Sequence, residues 1–194
     1  MKTPQFLLAQ KIGNDSVKEI IKFWNKNKKT AIDGVIGNKV VDKNLKSSKD
    51  IFILPSEFDS KIPTYANDLK KLAITYMRKY PELDNSNWGV TEACNIQYYK
   101  PRDGFGGVHY ERGHAYPQKD RLLVWMTYLT NNPEGGTYFK YQDFYCPSIK
   151  GLTLIWPADF TFTHCGVIDY NLPKHIITGW FSYYLPQHYE QQKI

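Results

Sequence analysis

The sequence predicts a mainly β fold with helices packed outside it, and three observations carry that prediction. From residue 89 onward, short β-branched and aromatic runs alternate with Gly, Pro and Asn turns, the pattern of an all-β sandwich or barrel. Aromatic residues make up 15% of the chain, with 15 Tyr and 5 Trp, and such side chains suit pleated, half-buried surfaces. Apolar residues at helical spacing are confined to two stretches in the first half.

The first of these stretches predicts a helix over 15–27, with Val17, Ile20, Ile21 and Trp24 on one face. Asp15 or Ser16 is its expected N-cap, with Glu19 as capping-box partner to Ser16. The second predicts a helix over 65–80, lined by Leu69, Leu72, Ala73, Tyr76 and Tyr80 and closed by Pro81. Between them, 34–50 reads as turn and loop and 51–55 as a short strand. Further strands are expected at 92–99, 121–129, 136–142, 151–156, 160–164 and 174–184. No repeat or low-complexity linker divides the chain. Residues 1–194 therefore read as one domain, with 1–88 a helical N-terminal layer and 89–185 the β core.

Hydrophobic residues at 42% and charged residues at 23% are those of a globular chain. No apolar run approaches the roughly 18 residues that cross a bilayer, and the apolar patch Phe6–Ala9 is too short for a signal-peptide core. A cytoplasmic protein with no membrane partner is expected. Cys94, Cys146 and Cys165 are odd in number and form no C-x-x-C pair, which argues against a disulfide framework or a cysteine zinc site. The net charge of +6 lies in the first half: residues 1–100 hold 17 Lys/Arg against 11 Asp/Glu, and the remainder holds 8 of each. Such a surface leaves a nucleic-acid partner open. Few aromatics interleave with these lysines, however, and a solvated lysine-rich face is the favoured reading.

The chemistry concentrates in two segments. In His109-Tyr110-Glu111, residues i and i+2 of an extended chain point to one face, so an imidazole and a carboxylate can converge on one metal. A distant histidine completes a two-His-one-carboxylate triad, which leaves open coordination positions and suits non-haem Fe(II). His164 is the candidate. Lys174 opens the last apolar strand and shares a face with Ile176, Thr178 and Trp180. An inward ammonium there is costly unless it meets an anion.

These residues resemble the prolyl 4-hydroxylase-like branch of the 2-oxoglutarate/Fe(II) dioxygenases, whose pattern is H-x-D, a distant His, and a basic residue about ten positions later. His109, His164 and Lys174 match it, and Glu111 stands where the family has Asp. EGGTYF at 134–139, IQYY at 96–99 and RLLVWMTYLTNN at 121–132 resemble three of the family's strands, in the right order. The resemblance spans about 88–184. It implies a double-stranded β-helix, or jelly roll, with Fe(II) on His109, Glu111 and His164. It further implies 2-oxoglutarate on Lys174, Tyr99 and Thr178, O2 as co-substrate and ascorbate as an accessory reductant. Hydroxylation of a peptide or protein is the implied activity. Alternatives on the same scaffold are a free amino acid, a small metabolite or a nucleic acid as substrate, or a non-catalytic jelly-roll binding module. The loops at 31–50 and 101–120 are expected to choose among them.

Other residues have plainer readings. His114 is expected in a loop beyond the ligand pair, His175 on the opposite face from Lys174, and His188 in a polar tail. Cys165 reads as a small filler and Arg121 as half of a structural ion pair. Trp125, Trp156 and Trp180 read as core.

Overall fold

The computed structural model describes residues 2–37 and 40–185. In chain order the elements are β1 (Leu8–Lys11), α1 (Asn14–Asn27), β2 (Ile32–Asp33), β3 (Lys49–Ile53), α2 (Pro55–Lys61), α3 (Pro63–Lys79), β4 (Trp88–Gly89) and β5 (Cys94–Tyr99). They continue with β6 (Arg121–Tyr128), β7 (Asn132–Phe139), β8 (Phe144–Ser148), β9 (Leu152–Pro157), β10 (His164–Gly166) and β11 (Lys174–Tyr183). All pairings are antiparallel and form a jelly roll. The major sheet runs β1-β9-β6-β11-β5-β3-β2, with β4 also paired to β11, and the minor sheet runs β10-β7-β8.

Strand alternation divides the interior in two. On the central strand β6 every residue is buried, as a strand covered on both faces requires. Leu123 and Trp125 point toward the helices and pack with Val17, Ile20, Leu69 and Tyr76. Val124, Met126 and Tyr128 point between the two sheets, toward Phe139, Leu154 and Trp156. Thr127, on the helix side, is fully buried and satisfied by hydroxyl contacts to Tyr65 at 2.9 Å and Thr153 at 2.7 Å. Trp125 lies across Gly179 of β11, where a Cβ would collide with the indole.

The helices cap one another rather than themselves. Glu19 of α1 accepts from the Thr64 and Tyr65 backbone N–H groups at 3.2 and 2.9 Å, at the start of α3. Asp68 of α3 accepts from Ser16 Oγ at 2.7 Å and Gly13 N at 3.3 Å, at the start of α1. The expected Ser16–Glu19 capping box is therefore replaced by two cross-helix contacts, which satisfy the Gly13 amide ahead of α1 and two orphan donors at the start of α3 and also tie the helix pair.

Other expectations shift. Residues 160–164 do not form a strand: Phe160–Phe162 is a 3-10 turn and β10 starts at His164. The strand expected at 136–142 begins at Asn132, with a register shift before Thr137. Strands β1 and β8 and helix α2 had no counterpart in the sequence reading. Nor is the stretch before residue 88 wholly helical, because it supplies β1, β2 and β3 to the major sheet. His188 lies outside the described residues. Among the described residues, no helix is long and apolar enough to cross a membrane.

Candidate metal and co-substrate site

Between the sheets opens a cavity of about 1170 Å³, and His109, Glu111, His164, Tyr99, Lys174 and Thr178 all line it. The two histidines are brought together by main-chain pairing. His109 N donates to His164 O at 3.0 Å, and His164 N donates to His109 O at 2.8 Å. His109 thus sits in an isolated bridge to β10 rather than in a strand of its own. One ligand atom from each of His109, Glu111 and His164 falls within 4.8 Å of the others.

Each imidazole has a defined free nitrogen. His109 Nδ1 lies 2.7 Å from Gly107 O, and His164 Nδ1 lies 2.8 Å from Phe162 O. A carbonyl only accepts, so Nδ1 carries a proton and Nε2 is the nitrogen turned toward the cluster, the orientation of metal-binding histidines. Both Nε2 atoms face Glu111 Oε1, at 3.5 and 3.7 Å. Ring packing fixes the imidazole planes: Phe105 stacks on His109 with centroids 4.0 Å apart, and Trp156 meets His164 edge-on at 5.2 Å.

Burial opposes charge on Glu111, yet the two facing imidazoles hold its carboxyl well below the usual carboxylate range. His109 is likewise opposed by burial, but the carboxylate of Glu111 raises it above an ordinary histidine. Two imidazole nitrogens and one carboxylate oxygen on one side of a cavity fit a divalent metal, whose binding would displace a proton from Nε2, and Fe(II) is among those that take this set. His114 stays exposed at the cavity rim and outside this cluster.

Lys174 lies beside the same strand that starts with His164. At Gly166 an added Cβ would stand 3.3 Å from Lys174 Nζ and 3.1 Å from Phe105 O, so the bare backbone admits the ammonium. Lys174 Nζ donates to Val167 O at 3.0 Å and Gly136 O at 3.4 Å, and stands 5.3 Å from the Tyr99 ring centroid. Among the described residues no carboxylate comes within ion-pair distance of it. Burial lowers its pKa to about 8.

Tyr99, rather than Tyr98, faces this cavity. Its hydroxyl donates to Gln97 Oε1 at 2.6 Å, whereas Tyr98 packs on the helix side against Trp24 and His175. Thr178 lines the cavity four residues along β11, with its hydroxyl donating to Trp125 O at 3.1 Å. Thr137, overlooked in the sequence, is buried next to Gly136. It accepts from Tyr128 Oη at 2.8 Å, which leaves its own hydroxyl proton to donate elsewhere. The second Gly of EGGTYF was the available signal: a Cβ at Gly136 would strike the Cys146 carbonyl.

Arg121 and Trp180 also exceed their sequence readings. Arg121 forms the expected ion pair, with Glu92 at 2.8 and 2.7 Å, but it also donates to Glu111 Oε2 at 3.2 Å. Trp180 lines the cavity and donates its indole N–H to the same oxygen at 3.1 Å.

No protein-family model matches the chain, and no curated protein matches it in sequence. Solved structures do match. A prolyl hydroxylase from Trichoplax adhaerens, in complex with a hypoxia inducible factor oxygen degradation domain peptide fragment, superposes with a TM-score of 0.72 at 15% identity, covering 97% of this chain and 87% of that one. A Pseudomonas putida prolyl-4-hydroxylase gives 0.68 at 14% identity, covering 93% and 94%. The fold is that of the prolyl 4-hydroxylases. The viral collagen prolyl hydroxylase of Paramecium bursaria Chlorella virus-1, in its 2OG complex, gives 0.67 at 16% identity, covering 93% and 97%.

Proposed function

We propose that this chain is a 2-oxoglutarate- and Fe(II)-dependent oxygenase that hydroxylates a peptide or protein, with prolyl residues as the first class of target. The observation that carries this reading is one cavity with a His-Glu-His cluster and a buried ammonium that no carboxylate neutralises among the described residues. A metal triad alone also suits a zinc hydrolase, but that chemistry gives Lys174 no role.

In this reading His109 Nε2, Glu111 Oε1 and His164 Nε2 would hold the iron. Bound iron, 2-oxoglutarate and O2 supply the oxidising chemistry: one oxygen atom enters a substrate C–H bond, the other enters succinate, and carbon dioxide leaves. The protein's part is to bind and orient. Lys174 pairs with the far carboxylate of 2-oxoglutarate, Thr137 donates to it, and Tyr99 closes the wall beside it. Phe105, Trp156 and Phe139 keep water from the imidazoles. The mouth is broad and apolar: Ile32, Phe52, Leu54 and Val108 line it and are exposed, which suits a peptide segment better than a free amino acid.

The test is anaerobic addition of Fe(II) and then 2-oxoglutarate, which should produce a weak visible charge-transfer band. Succinate release and a one-oxygen mass gain are then sought over proline-containing peptides, amino acids and oligonucleotides. Absence of both the band and succinate release would overturn the proposal.

A further inference from the structure

We propose that Arg121 and Trp180 are positioning residues that clamp the outer oxygen of Glu111, and that this clamp fits a glutamate, rather than the shorter aspartate, to the metal site. The inference rests on the metal-binding reading above.

The two oxygens of Glu111 have separate duties. Oε1 faces His109 Nε2 and His164 Nε2 at 3.5 and 3.7 Å. Oε2 accepts from Arg121 Nη1 at 3.2 Å and Trp180 Nε1 at 3.1 Å. A single carboxylate oxygen is therefore left for a cation.

Both donors are themselves fixed. Arg121 opens β6 and Trp180 lies on the adjoining strand β11. The guanidinium rests on the indole, 3.6 Å from the ring centroid. Glu92 grips the same guanidinium through two hydrogen bonds, at 2.8 and 2.7 Å. With both planes locked, neither donor can follow a carboxylate that moves away.

The main chain of Glu111 is held as well, in part by Arg121 itself. Its N–H donates to Ala158 O at 3.1 Å, and its carbonyl accepts from Arg121 Nη1 at 2.9 Å. The glutamate stem runs from this main chain to Oε2, which meets Arg121 Nη1 again together with the Trp180 indole. An aspartate ends one C–C bond sooner, about 1.5 Å. From the same main-chain position its carboxylate would keep either the clamp or the approach to both histidines, but not both. The departure from H-x-D is thus matched by two donors that meet the outer oxygen of the longer side chain.

Co(II), a redox-stable stand-in for ferrous iron with a visible spectrum that reports its coordination, is the probe. Trp180→Phe removes one donor and preserves the stacking ring. It should weaken Co(II) binding about 10–100-fold, the usual effect of losing a ligand's supporting hydrogen bond. Glu111→Asp should weaken it similarly and alter the Co(II) absorption bands. The double variant should bind no more weakly than Glu111→Asp, because the aspartate has already left the clamp. Arg121→Lys gives a second arm: it keeps the charge beside Glu92 but loses the planar fork, and Co(II) binding should fall while circular dichroism stays native. A role for Arg121 and Trp180 in packing alone would lower Tm and leave Co(II) affinity and spectrum unchanged. Affinities within about twofold of the native chain in Trp180→Phe and Glu111→Asp would overturn the clamp while metal binding stood. Failure of the native chain to bind Co(II) or Fe(II) would instead overturn the metal reading, and the clamp with it.

Discussion

His109 and His164 face each other as a main-chain bridge, each backbone N–H donating to the other's carbonyl. Their imidazoles are side chains hung on a pairing that does not need them. His109→Ala and His164→Ala should therefore fold with near-native circular dichroism. Each should lose Fe(II) affinity beyond the roughly 10–100-fold that supporting groups cost, and turnover with it. Equilibrium dialysis of iron and succinate release measure both. Full turnover by either variant would remove that histidine from the ligand set.

Lys174 carries a pH signature. Burial lowers its pKa to about 8, so the ammonium is present below that pH and is lost above it. Affinity for 2-oxoglutarate should be flat from pH 6.5 to about 8 and weaken as pH rises further. Lys174→Arg should abolish this dependence, because a guanidinium stays protonated. Lys174→Ala should raise the apparent KM for 2-oxoglutarate about 10–100-fold, the equivalent of a charged hydrogen bond worth about 1.5–3 kcal/mol. An unchanged KM would leave the lysine without its proposed role.

Thr137 is predicted to help Lys174 hold that carboxylate. Thr137→Val removes the hydroxyl at nearly constant volume and leaves the Tyr128 hydroxyl its longer bond to Cys146 O at 3.3 Å. KM for 2-oxoglutarate should rise about tenfold, with a stability loss of about 0.5–1.5 kcal/mol from the lost hydrogen bond. Steady-state kinetics and urea unfolding separate the two effects.

His175 should make stability fall in acid. It is 4% exposed, and burial lowers its pKa from 6.5 to about 4. The folded state therefore resists protonation that the unfolded chain accepts, so stability is lost as pH drops from about 6.5 toward 4. Between pH 7 and 4.5 this one group accounts for about 2 kcal/mol. Urea unfolding of His175→Leu should show an acid dependence smaller by about that amount. Identical pH profiles for the two proteins would show that His175 does not titrate on unfolding.

The residues most legible in the sequence were those whose chemistry is expensive to bury. A lysine at the head of an apolar strand and a histidine beside a carboxylate both demand partners, and Lys174, His109, Glu111 and His164 do line one cavity. The central strand β6 was legible from the apolar run at 122–126. Phe160–Phe162 was misread because its alternating aromatic and threonine pattern mimics a strand, while the chain there coils tightly to present His164. Strand β1 has only Leu8 and Ala9 as apolar residues and β8 contains Pro147, a turn signal, and pairing to β9 and β7 defines them instead. Thr137, Arg121 and Trp180 escaped because their roles depend on contacts with residues far away in the chain.

The first 53 residues place β1 at one margin of the major sheet and β2 with β3 at the other. They act as bookends. Without them, β9 and β5 would each present a row of unpaired amides and carbonyls to solvent, a template for joining another molecule. A fragment beginning at residue 89 would keep every proposed ligand and still be a poor protein: sticky, and prone to assemble through its bare margins.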